Sequence, residues 1–81
     1  MRVNVLFYSY FKELTGCAQT IEAVPPGSTI ADLLKRLHER FPKLVAMQNS
    51  MLIAVGVEYQ GRNYALREND EVSLFPPVQG G

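Results

Sequence analysis

The sequence predicts an α+β fold, a mixed sheet with one main helix across one face and an extended C-terminal tail. Three observations predict it. Apolar residues alternate at period two near both ends of the chain, in "RVNVLFY" and "EVSLF". Between them lies one strong helical stripe, Ile30, Leu33, Leu34, Leu37 and Phe41. The elements follow the order strand, strand, helix, strands. The helix can therefore supply the crossover that a parallel pairing of the first and last strands needs. This is the outline of a ubiquitin-like β-grasp.

Each element has a local cause. In residues 2–8, Val3, Val5 and Phe7 make the better core face, while Arg2, Asn4, Leu6 and Tyr8 point the other way. In "SYFKELTG", Phe11 and Leu14 are spaced to pin a short helical turn that Gly16 ends. Residues 18–24, "AQTIEAV", favour extended chain through Thr20, Ile21 and Val24, and Pro25, Pro26 and Gly27 stop them. Thr29 with Asp32 reads as a capping box with Asp in place of the usual Glu, and Ser28 is a competing cap. Lys35, Arg36, Glu39 and Arg40 form the wet side of the helix, which Pro42 closes. Residues 43–51 read as loop or a weak second helix.

"LIAVGVEY", 52–59, reads as one strand rich in β-branched residues. A turn at Gly61 and a short strand or irregular piece at 64–66 follow. "RENDE" is a turn in which Asn69 tolerates left-handed geometry. In the last strand, 71–75, Val72 and Leu74 point inward and Phe75 outward. The expected organisation is a domain over 1–75 and a flexible tail over 76–81.

Bulk properties narrow the function. A chain of 81 residues is one domain. At this size about 60% of the unfolded surface is buried, so a deep catalytic pocket is not expected. Lys+Arg and Asp+Glu are 8 each, which leaves no electrostatic footprint for nucleic acid. The N-terminal alternation is not a signal peptide or a membrane span, and one cysteine fits a reducing compartment, so a cytoplasmic protein is expected.

Few side chains inside the chain carry chemistry. Cys17 sits among Gly16, Ala18 and Gln19, none of which activates a thiol, and reads as a small filler. His38 is the only histidine. It reads as a boundary residue that keeps its ring tip wet. Glu68, Asp70 and Glu71 read as a solvated turn, and no metal site is expected.

The tail is different. Pro76 and Pro77 end the sheet ladder and launch the chain stiffly. Val78 and Gln79 follow, and Gly80 and Gly81 carry no side chain, so their backbone fits a narrow channel. From Pro76 the six residues reach at most about 20 Å, enough to enter another protein's active site. Read as the chain's end, Gly81 presents an unhindered carboxylate. Such a group becomes reactive through adenylation by ATP, giving a mixed anhydride open to a sulfur or amine nucleophile. Gly81, with Gly80, is the expected reactive end.

The stretches "VNVLFYSYFKELTG", "TIADLLKRL", "LIAV" and "NDEVSLFPPVQGG" together resemble the family of molybdopterin synthase small subunits, ubiquitin-like sulfur carriers. The match runs the whole length in the same order. The resemblance implies a protein-borne sulfur donor in molybdenum cofactor biosynthesis, a non-catalytic subunit with no permanently bound cofactor. An adenylating enzyme related to ubiquitin activators would use ATP on Gly81, which would then carry sulfur as a thiocarboxylate. The large synthase subunit, in a heterotetramer expected from the family, would receive the tail and pass the sulfur to cyclic pyranopterin monophosphate. The family's apolar docking positions map onto Tyr8, Tyr59 and Phe75. The tail residues Pro76, Pro77, Val78 and Gln79 would be partner-binding too.

Two positions depart from the family pattern: Gly56 stands where Asn is common, and Asn69 where Gly is common. Other readings of the same tail stay open: a carrier for thiazole, cysteine or tRNA thiolation, a ubiquitin-like modifier joined to lysines, or an adapter whose tail is idle.

Overall fold

The computed structural model describes residues 1–77. Five strands form one mixed sheet, with one helix packed across it. They are β1 (Arg2–Phe7), β2 (Gln19–Ala23), β3 (Leu52–Val55), β4 (Glu58–Tyr59) and β5 (Glu71–Phe75). The helices are α1 (Phe11–Thr15), α2 (Ile30–Arg40) and a 3₁₀ helix (Pro42–Met47). The sheet order is β2-β1-β5-β3-β4. The central pair, β1 and β5, is parallel, with Val5 opposite Val72 and Phe7 opposite Leu74. Its other pairings are antiparallel. This is the ubiquitin-like β-grasp.

The alternation read from the sequence is the alternation of burial. Val3, Val5, Val72 and Leu74 are fully buried, and Phe7 nearly so. They meet Ile30, Leu33, Leu34 and Leu37 of α2. Each such side chain contributes about 1.5–3 kcal/mol on leaving water. Phe11 of α1 is fully buried, and Gly16 ends that turn at φ 78, a left-handed value glycine adopts without penalty.

The start of α2 is held twice. Thr29 caps it: its hydroxyl accepts from the Asp32 N–H at 3.4 Å, and its own N–H donates to the Asp32 carboxylate at 2.9 Å. The next two N–H groups, of Ile30 and Ala31, donate to the carbonyls of Tyr64 and Arg62 at 3.0 and 2.9 Å. The segment after β4 thus satisfies donors that a helix start leaves open.

Several expectations change in the fold. Residues 52–59 are not one strand. They form the hairpin β3–β4, turned at Gly56, whose φ of 62 no β-branched residue adopts cheaply. The ambiguous stretch 43–51 is largely the 3₁₀ helix, which Pro42 starts and whose Leu44 is fully buried. Phe41 leaves the helical stripe. It is the C-cap, half-buried, with its ring edge-on to Phe7 at 5.6 Å. In β2 the exposed side chain is Ile21 and the buried one is Glu22, which pairs with Arg40 at the end of α2. Residues 64–66 make only a bridge, Ala65 to Thr29. Asn69 takes the expected left-handed turn, at φ 67.

The cap gives two expected outcomes. Thr29→Ala lowers stability by about 1 kcal/mol in chemical denaturation. The hydrogen bonds from Thr29, backbone first and then side chain, hold the Asp32 carboxyl below its ordinary 3.8, with Lys35 a smaller contribution. A carboxyl lowered on folding stabilises above its unfolded value, and that stabilisation is lost as pH falls through the folded one. The stability difference between wild type and Asp32→Asn is therefore level above about pH 5 and narrows in stronger acid, as equilibrium unfolding across pH will read.

Candidate functional site

The helix covers one face of the sheet, so the other face is set by the alternate residues of each strand. The register aligns Leu6 with Ser73, Ser73 with Ala54, and Ala54 with Tyr59 across four strands. One step along, Phe75 pairs with Leu52. Tyr8 follows β1 directly and donates its N–H to the Leu74 carbonyl at 3.0 Å, which seats it beside Phe75.

The three aromatic residues named from the sequence come together here. The Tyr8 and Phe75 rings are 5.8 Å apart and nearly perpendicular; those of Tyr59 and Phe75 are 5.9 Å apart and tilted. Phe75 is half-buried between two tyrosines that are 46% and 69% exposed. Edge-to-face contacts of this kind hold rings in place beyond the area they bury. Small residues, Ala54 and Ser73, make the floor, so the patch is a shallow, open bowl of about 520 Å³. Gly56 and Val57 form its far rim, and among the described residues no charged side chain lines it.

Val57 was not singled out from the sequence. It is 99% exposed at the hairpin tip, an apolar side chain without cover beside an apolar bowl. The signal that could have found it is Gly56, since a glycine within a strand pattern marks a bend or bulge.

Strand β5 runs under the bowl and delivers the chain to Pro76 and Pro77, both half-buried. Neither proline has an N–H to continue the ladder. Val78, Gln79, Gly80 and Gly81, expected to thread and react, lie outside the described residues.

The other candidates separate from this face. The Cys17 sulfur lies 3.7 Å from the Thr15 hydroxyl and packs partly against the core. Asp70 is used within its turn, accepting from the Arg67 N–H at 2.9 Å and the Tyr64 hydroxyl at 3.3 Å. The Glu68 carboxylate accepts from the backbone N–H of Arg2. No group of three metal-ligating side chains occurs among the described residues, and no helix among them is long and apolar enough to cross a membrane. For His38 the expected wet ring tip is corrected. Its Nε2 is buried and has no hydrogen-bond partner among the described residues, although the residue lines a cleft shared with Arg62 and Gln48. Burial, and secondly the Arg62 charge, push its pKa below the ordinary 6.5.

The ThiS family matches residues 5–81. The molybdopterin synthase sulfur carrier subunit of Arabidopsis thaliana is 30% identical over 81 residues, spanning 100% of this chain and 84% of that protein. The structure of SAMP1 from Haloferax volcanii matches with a TM-score of 0.90 over all of both chains; at 22% identity it shares the fold. A chain in the complex of subunits 1 and 2 of molybdopterin-converting factor from Helicobacter pylori matches with a TM-score of 0.75 and 27% identity, also over all of both chains.

The hairpin turn that carries the rim is the sensitive part of the bowl. At φ 62, Gly56→Val strains the turn by about 1–2 kcal/mol, whereas Gly56→Asn, whose side chain tolerates this region, costs less. Denaturant midpoints will rank wild type above Gly56→Asn above Gly56→Val. The ring-current shifts between Tyr59 and Phe75, read by NMR, will weaken in the same order.

Proposed function

Because the chain belongs to the ThiS family, we propose that it is the sulfur carrier subunit of a molybdopterin synthase. The observation that carries this reading is the match, end to end, to proteins of about 30% identity that bear that name. The fold alone does not choose between a carrier and a modifier, since a β-grasp can present either kind of tail.

The chemistry belongs to the tail. The Gly81 carboxylate attacks the α-phosphorus of ATP on an adenylating enzyme related to ubiquitin activators, and pyrophosphate leaves. Hydrosulfide then attacks the carbonyl carbon of the acyl-adenylate, the C–O bond to AMP breaks, AMP leaves, and Gly81 carries a thiocarboxylate. Glycine suits both steps because no Cβ obstructs the carbonyl carbon. The carrier next docks on the large synthase subunit and yields its sulfur to cyclic pyranopterin monophosphate. The likeness to a chain found in a complex of subunits 1 and 2 supports the large-subunit partner. No cofactor stays with the carrier; ATP acts on the partner enzyme.

The bowl supplies docking and the tail supplies reach. Tyr8, Tyr59 and Phe75 offer rigid aromatic area of the kind that anchors interfaces. They lie where β5 ends, so a partner that covers the bowl also receives Pro76, Pro77 and the residues beyond. The carrier must reload between transfers, and an exposed aromatic patch allows release as well as capture.

Mass spectrometry of the intact protein from cells tests the chemistry. A sulfur-for-oxygen mass gain on Gly81 is expected; lysine-linked conjugates without that species would point instead to a modifier. Deleting Gly81 abolishes sulfur transfer while the melting curve stays unchanged, and full transfer by the truncated chain would overturn the reading. Tyr59→Ala weakens binding to the large subunit at least about tenfold, as for interface anchors worth 1.4 kcal/mol or more. Its stability changes by only about 0.5 kcal/mol, because the side chain is mostly exposed in the free protein.

A further inference from the structure

On the helix side of the molecule, away from the aromatic bowl, a cleft of about 430 Å³ lies between α2 and the end of the 3₁₀ helix. Ala31, Leu34, Lys35 and His38 line it from one face of α2. Arg62 comes from the segment after β4, and Gln48 and Asn49 from the chain after the 3₁₀ helix. Two features stand out. The Nε2 of His38 is buried with no partner among the described residues. The Arg62 guanidinium donates to the Gln48 carbonyl, so one long side chain ties the end of the 3₁₀ helix to the segment that caps α2.

These features are coupled by charge. We propose that His38 and Arg62 form a proton-sensitive latch, in which protonation of His38 releases Arg62 from the Gln48 carbonyl and frees the end of the 3₁₀ helix. A neutral imidazole beside Arg62 costs little. An imidazolium there adds a further cation to a partly desolvated cleft that Arg62 and Lys35 also line. In α2 the adjacent charged groups are Lys35 and Glu39, one of each sign; from the segment after β4 the facing charge is Arg62; the 3₁₀ end offers only the amides Gln48 and Asn49. The repulsion is therefore not cancelled. Arg62 is exposed and can swing to water, while its backbone stays anchored by the hydrogen bond from Ala31. The carbonyl of Gln48, at the helix end, then loses its tie.

The direction with pH follows. A histidine whose pKa is lowered on folding favours the folded, latched state above its unfolded value. The latch is closed above about pH 6.5 and opens as pH falls through the lower folded value. The 3₁₀ helix leads through residues 48–51 into β3, whose first residue, Leu52, pairs with Phe75.

An NMR titration of the full chain tests this, and the single histidine makes the imidazole signals unambiguous. In wild type, the His38 ring protons titrate with a midpoint below about 6.5, and the amides of Gln48, Asn49, Ser50 and Arg62 move with that same midpoint. In R62Q the His38 midpoint rises and the amides of residues 48–50 lose the step. In H38Q the step is absent from all of them. Amides of 48–50 that stay still while wild-type His38 titrates overturn the latch, and so does a step that persists in H38Q. The wild-type titration decides the matter even if a variant folds poorly, and it is independent of whether Gly81 carries sulfur.

Discussion

The parallel pairing of β1 with β5 is the constraint on which the rest depends. It joins the first strand to the last, so almost the whole chain lies between its two partners. Antiparallel neighbours can be added by short turns, but a parallel pair needs a crossover. Here α2 lies in that crossover, and its apolar stripe fills the space over Val3, Val5, Val72 and Leu74. The same pairing places residue 8 beside residue 75. The aromatic bowl is therefore a by-product of the register that makes the core.

The helix is secured more heavily than its length would suggest. At its start, the Thr29–Asp32 box and the carbonyls of Arg62 and Tyr64 satisfy backbone donors. At its end, Arg40 reaches the buried Glu22 of β2 and also lies over the Phe41 ring, 5.0 Å from its centre. A carboxylate on the inward side of an edge strand is costly unless paired. It also discourages other chains from adding to that edge. A small domain has little core to spare, so these polar ties at both ends of α2 matter to its placement.

Stiffness and thinness are divided between two parts of the chain. The bowl is floored by buried Ala54 and Ser73 and walled by rings in contact. The prolines after Phe75 carry that order a little further.

The sequence by itself determined the elements with strong local causes. Alternation in 2–8 and 71–75, the stripe of α2 with its Thr29–Asp32 cap, and the left-handed positions at Gly16 and Asn69 are all legible because period and backbone sterics act within a few residues. So were Tyr8 and Phe75 as outward positions, while Tyr59 joined them only through the family resemblance. Only the tertiary structure decided what depends on distant partners. Residues 52–59 look like one strand by their β-branched content, yet split at Gly56 because β4 folds back onto β3 while β3 also pairs with β5. Glu22 faces inward because Arg40, far along the chain, meets it there. The Nε2 of His38 is buried although its residue is only half-buried, in a cleft that Arg62, distant in sequence, helps to line. In each case the deciding energy, pairing, desolvation or charge, comes from groups that are neighbours in space and not in sequence.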